Sequence, residues 1–134
     1  AALLGIELHI ACPDTLKPLP EVVRWAHDKG TNISITEDPV VAVAGAHAVI
    51  TDTWVSMGDP DAEAQMKLLA PYQVNSAIMA KADPKAIFLH CLPAHRGEEV
   101  TADVIDGVQS RVFDEAENRL HVQKAVLLWC LNMI

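Results

Sequence analysis

Short apolar runs and helical segments alternate five times along this chain, and that rhythm excludes most architectures other than α/β. Residues 6–11 are the first predicted strand. A helix is predicted over 20–29, with Pro20 at its first position, where a missing N–H costs nothing, and Gly30 as its stop. Residues 32–36 (N-I-S-I-T) alternate apolar and polar, as a strand does. Asp38 and Pro39 open a short helix ending at Gly45, with Asp38 placed to accept from free backbone N–H groups. Residues 46–51 are apolar enough for a buried parallel strand. Asp59-Pro60 repeats the cap-plus-proline signal for a helix reaching about residue 70, with Asp61 and Glu63 where the helix dipole favours negative charge. Further helices are predicted over 73–81 and 101–105, the second stopped by Gly107. Strands are predicted over 86–90 and 110–113, and a long last helix over 115–132. The sum is a mainly parallel sheet flanked by helices.

With 134 residues the chain supports one domain rather than two. Its net charge of −8 is opposite in sign to that of a phosphate-backbone binder, so no nucleic-acid partner is expected. The longest apolar run, 125–131, is far shorter than the ~20 residues of a membrane helix. Cys12, Cys91 and Cys130 form no C-x-x-C pair and suit a reducing cytosol. Neither G-x-G-x-x-G nor a P-loop is present, which leaves a dinucleotide site unsupported. Residues 1–4 read like uncapped helix interior behind a first residue that is not Met, so the N-terminus is expected to be a truncation point. The last helix has almost no polar face: Leu120, Val122 and every residue from Ala125 to Leu131 are apolar. Such a helix is either central, or it packs on something outside this chain.

In an open parallel sheet, ligands bind beyond the carboxyl ends of the strands. That rule selects Asp52-Thr53-Trp54-Val55-Ser56-Met57-Gly58 after strand 46–51, and His90-Cys91-Leu92-Pro93 at the end of strand 86–90. It also selects Asp114-Glu115-Ala116-Glu117-Asn118-Arg119 after strand 110–113. Sharing one edge, the three segments offer a carboxylate, a hydroxyl, a thiol, an imidazole and a guanidinium. Such a set suits an amino-acid-like zwitterion next to a phosphate or carboxylate.

Each residue also has an ordinary structural use. Asp52 could cap the loop behind it, and Gly58 could serve a positive-φ turn. Cys91 could be an inert buried thiol, and His90 a core histidine bonded to backbone. Arg119 could pair with Glu115 across one helical turn. Trp25, Trp54 and Trp129 suit core or interface positions, and Asp59/Asp61 and Glu98/Glu99 suit solvated helix starts. His90, Cys91 and His95 lack a fourth metal ligand at local spacing, and no metal is assigned. Ser56, His90 and Asp52 can be written as a triad, but no G-x-S-x-G elbow supports it.

D-T-W-V-S-M-G over 52–58, H-C-L-P over 90–93 and E-A-E-N-R over 115–119 resemble, in order and spacing, the ornithine carbamoyltransferases. The resemblance runs over nearly the whole chain. It implies a Rossmann-like sheet, the second domain of the aspartate/ornithine carbamoyltransferase fold, with residues 1–134 a partial ornithine-binding domain. The S-T-R-T phosphate loop and H-P-x-Q segment of the carbamoyl-phosphate domain do not occur here. The implied reaction moves a carbamoyl group from carbamoyl phosphate to the δ-amine of L-ornithine, giving L-citrulline and phosphate, in the cytoplasm and without a cofactor. Asp52 and Ser56 would hold the α-amino group, and the Met57 backbone the carboxylate. Cys91 would lie beside the δ-amine, the carbonyls of Cys91 and Leu92 would take the carbamoyl NH₂, and Arg119 would contact carbamoyl phosphate. His90, Pro93 and Gly58 would support these motifs. The parent would be a homotrimer, and this chain alone would be inactive. The alternatives are a transferase for putrescine or N-acetylornithine, or a non-catalytic amino-acid-binding module.

Overall fold

The structure, a computed structural model, describes residues 1–55, 58 and 60–133. Ser56 and Met57, both expected in the ornithine site, and Asp59, an expected cap, lie outside the described residues. The described residues form the strands β1 (Leu8–Ala11), β2 (Ile33–Thr36), β3 (Ala48–Thr51) and β4 (Ile87–His90). Among the described residues they are accompanied by the α-helices α1 (Pro20–Asp28), α2 (Pro39–Val43), α3 (Ala62–Leu69), α4 (Ser76–Met79), α5 (Ala102–Ile105) and α6 (Val112–Cys130). The alternation read from the sequence is therefore the architecture, an α/β fold with parallel pairing throughout its strands.

Local chemistry explains most boundaries. Pro20 and Pro39 stand in the first turns of α1 and α2, and the Asp38 carboxylate accepts the Val40 N–H at 2.8 Å. Where boundaries moved, a competing partner explains the shift. The helix expected over 73–81 shrinks to α4 because Asn75 caps it, accepting from the N–H groups of Ala77 and Ile78. Val74 instead bridges to Val100, with Val74 N–H on Glu99 O and Thr101 N–H on Val74 O. Helix α3 starts at Ala62, later than the proline signal suggested, with Asp61 at the cap position. The strand expected over 110–113 is a single bridge from Ser110 to Phe88, since Val112 already begins α6. Residues 1–4 are not helix: the N–H groups of Leu4 and Ile6 both turn back onto Ala1 O.

The strands form two parallel pairs, β1 with β2 and β3 with β4, rather than one continuous sheet. The core lies on the second pair. Val43, Val49, Val74, Met79, Ala86, Phe88, Val100, Val104, Ile105 and Val112 pack together, with Phe88 and Val100 completely shielded. The last helix was expected to be buried on most sides; in this chain it is not. Val112 is the one buried residue of α6. Leu120, Val122, Val126, Leu127 and Trp129 are all more than half exposed. Trp25 is exposed as well, so neither it nor Trp129 is a core residue here. No helix among the described residues is long and apolar enough to cross a membrane.

Candidate active site

Register builds the site. Thr51 and His90 are the last partners of the β3–β4 ladder, so the chain leaves the two strands with Asp52 and Cys91 side by side. The Cys91 thiol donates to Asp52 Oδ1 at 2.9 Å, and the Thr53 N–H donates to the same oxygen at 2.7 Å. The loop-capping use of Asp52 is thus real, and it coexists with the contact to Cys91. The Thr53 hydroxyl donates to Pro93 O at 2.8 Å, lacing the two loops together. Cys91 is exposed, not an inert core thiol.

The pair polarises in one direction. The hydrogen bond from Cys91, then that from Thr53, hold the Asp52 carboxyl below the usual carboxylate range. The same bond, with burial and the negative charges of Asp52 and Glu115, pushes the Cys91 thiol above the range of a free cysteine. Cys91 therefore stays a thiol at neutral pH. Its iodoacetamide alkylation, followed at the peptide level, should rise only at a pH higher than a free thiol needs. Asp52→Asn removes the negative acceptor, so the rise should move to lower pH. An unchanged profile in Asp52→Asn would show that Asp52 does not control the thiol.

Across β4, the bridge from Phe88 to Ser110 starts α6 next to the strand end. Glu115 accepts the His90 N–H at 2.9 Å, so it is not the partner of Arg119. Among the described residues Arg119 makes no ion pair. It is exposed and faces an open cavity of about 510 Å³. Cys91, Leu92 and Pro93 form one wall of that cavity; Ala116, Arg119, Leu120 and Gln123 of α6 form the other. The three segments chosen from the sequence do share one edge, and Gly58 does take a positive φ of 88°.

His90 is wholly buried and sits behind the site. Its Nδ1 accepts the Leu92 N–H at 2.9 Å, which leaves Nε2 to carry the proton and face Glu99 Oε1 at 3.2 Å. Leu92 has φ 53°, a left-handed conformation costing roughly 1–2 kcal/mol in a residue with a Cβ. The imidazole holds that turn in place. With both nitrogens engaged, His90 is not free to act in the Ser56-His90-Asp52 triad, and the His90-Cys91-His95 trio is not gathered: the donor atoms of His90 group with those of Asp52 and Cys91. His95 instead groups with Glu98 and Glu99.

Glu99 is the residue that sequence reasoning missed. It was read as half of a solvated acidic pair, yet it is completely buried and accepts the His95 N–H at 2.6 Å besides facing His90. Nothing local separates it from Glu98. The one available signal was its neighbour Val100, an apolar residue with a buried partner in Val74.

A family model described as "Aspartate/ornithine carbamoyltransferase, Asp/Orn binding domain" matches residues 1–130. The chain is 56% identical over 132 residues to the ornithine carbamoyltransferase of Brucella abortus (strain 2308), covering 98% of this chain and 42% of that protein. Among solved structures, the ornithine carbamoyltransferase of Pyrococcus furiosus is 46% identical with a TM-score of 0.87, covering 95% of this chain and 42% of that one. The anabolic enzyme of Campylobacter jejuni is 38% identical with a TM-score of 0.90, covering 99% and 46%. The chain thus spans under half the length of the relatives it matches. Agreement in fold and in sequence places the chain in the aspartate/ornithine carbamoyltransferase family, as its Asp/Orn-binding domain.

Proposed function

We propose that this domain binds L-ornithine within an enzyme that forms L-citrulline and phosphate from ornithine and carbamoyl phosphate. The observation that carries the proposal is the set of groups on one open edge: the Asp52 carboxylate bonded to the Cys91 thiol, with Arg119 across the cavity. Asp52 with Ser56 takes the α-ammonium group, and the Met57 backbone takes the carboxylate. Arg119 contacts carbamoyl phosphate, and the carbonyls of Cys91 and Leu92 accept from the carbamoyl NH₂. The bond from Leu92 N–H to His90 supports this role, because it fixes the turn from which those carbonyls project.

The nucleophile is an alkyl amine with an ordinary pKa near ~10.4, and it must be neutral to attack. A thiolate beside it would hold its proton on. Cys91 as a thiol avoids that second negative charge, which favours the neutral amine. Attack on the carbamoyl carbon gives a tetrahedral intermediate; the C–O bond to phosphate then breaks and the amine proton is lost.

One guanidinium is too little for a dianionic leaving group and a developing oxyanion. We assign the missing cations to a second α/β domain, packed on the apolar face of α6, in a homotrimeric cytoplasmic parent. Leu120 lies both on that exposed helix and on the cavity wall, which supports placing the second domain there.

The test is a citrulline assay on the full-length protein with ornithine, putrescine and N-acetylornithine as competing acceptors. Ornithine should give the highest kcat/KM. Preference for another amine would refute the substrate assignment. Ornithine binding without turnover would refute the transferase. The 134-residue chain alone is expected to give no citrulline.

A further inference from the structure

Behind the active edge, the turn from His95 to Glu99 gathers a second set of donor atoms that the proposed reaction does not use. His95, Glu98 and Glu99 each place one potential ligand atom within 4.8 Å of the others. His95 Nδ1 lies 3.9 Å from Glu98 Oε2 and 3.8 Å from Glu99 Oε2. The turn itself is braced by the Gly97 N–H on Val100 O at 2.8 Å and the Glu98 N–H on His95 O at 3.1 Å.

Glu99 makes this more than an acidic cluster. Its Oε1 is used by His90 and by the His95 N–H, but its Oε2 is buried and accepts no hydrogen bond. A shielded carboxylate oxygen without a donor is costly unless a positive group meets it. That oxygen borders the cluster, while the side chains of His95 and Glu98 remain 47% and 42% exposed and leave a way in from solvent.

We propose that His95, Glu98 and Glu99 form a site for a first-row divalent cation, with Zn²⁺ as the representative. One imidazole nitrogen and two carboxylate oxygens suit such an ion, and two ionised carboxylates balance its charge. Ligands at about 2.0–2.2 Å from a metal stand about 3–3.5 Å apart, so both His95–carboxylate separations have to shorten by roughly half an ångström and the two carboxylates have to close from within 4.8 Å. The remaining positions would be filled by water. An ion on Glu99 Oε2 would be one carboxylate away from His90, and His90 holds the Leu92 turn. The site would thereby brace the active edge from behind without touching substrate.

The experiment is equilibrium dialysis of the full-length protein against Zn²⁺, paired with Co²⁺ absorption as a spectroscopic probe. Wild type should bind one ion at this turn, with Co²⁺ bands that lack sulfur-to-metal charge transfer. His95→Ala and Glu98→Gln change exposed side chains and should fold; each should weaken binding by about tenfold or more. Cys91→Ser should leave that binding unchanged. The opposite pattern, with loss in Cys91→Ser, a thiolate charge-transfer band, and indifference to His95→Ala, would place the ion at Asp52 and Cys91 and overturn the proposal. Absence of binding at about millimolar Zn²⁺, far weaker than structural sites bind, would overturn it too. Neither result bears on citrulline formation, which is assayed separately.

Discussion

Asp52→Asn in the full-length enzyme is expected to lower kcat/KM for ornithine by about 10²–10³-fold, while thermal stability stays unchanged. That loss is about 2.7–4.1 kcal/mol, inside the roughly 2–5 kcal/mol that truncating one partner of a charge pair costs once bound substrate covers it. The side chain is exposed and its recorded partners are the Cys91 thiol and the Thr53 N–H, so its removal leaves the core untouched. The proposed contact is to the α-ammonium group, which does not react. Interactions equally strong in ground and transition states appear in KM. Most of the loss should therefore fall on KM for ornithine, with KM for carbamoyl phosphate moving by no more than about twofold. Cys91→Ser should show the other pattern, a fall mainly in kcat, because Cys91 is assigned to the reacting amine. Steady-state kinetics with each substrate varied in turn separate the two. If Asp52→Asn kept kcat/KM within a few-fold of wild type, the carboxylate would be a loop cap and nothing more.

The site was legible in the sequence where backbone topology alone decides proximity. Strand ends of a parallel ladder lie side by side, so finding β3 and β4 was enough to bring Asp52 to Cys91. Arg119 was selected as part of the segment behind a strand expected over 110–113; that strand is only the Phe88–Ser110 bridge, yet the bridge still brings the first turns of α6, and Arg119 with them, beside the end of β4. What could not be read was whatever depends on which side chain turns inward. Glu98 and Glu99 are chemically identical neighbours, yet only Glu99 is enclosed, because the bridge from Val74 to Val100, with Val74 N–H on Glu99 O, draws that end of the turn into the core. His90 was read as a support residue, but its tautomer depends on the Leu92 N–H and on Glu99, neither visible in spacing. The boundaries of α4 and the lost strand at 110–113 failed for a related reason. A tertiary bridge at Val74 and another at Ser110 outcompeted local preference. The apolar run of α6 was read as either central or packed on something outside this chain. Its expected burial on most sides is not met within this chain, where only Val112 of α6 is buried, and the central placement is excluded with it.

Phe88→Ala is expected to destabilise this domain by about 3–5 kcal/mol. Phe88 stands at 0% exposure in the middle of β4, paired with Val49 and bridged to Ser110. Removing the ring deletes its transfer free energy and leaves a cavity among Val100, Val104, Ile105 and Val112 that a close-packed core fills only in part. Small domains have only about 5–15 kcal/mol of stability in total, so the loss is a large fraction of it. The first strand pair adds few buried side chains, and α6 contributes only Val112, so little elsewhere can compensate. Urea unfolding of the full-length protein, followed through the transition of this domain, measures the effect. Val108→Ala, at a residue 92% exposed, is the control and should stay within about 0.5 kcal/mol. The same cavity should loosen the end of β4 and hence the Asp52–Cys91 contact, so alkylation of Cys91 should quicken at fixed pH in Phe88→Ala. A loss below about 1 kcal/mol would mean that the core relaxes around the missing ring, and that packing on β4 is not what holds the two strand ends in register.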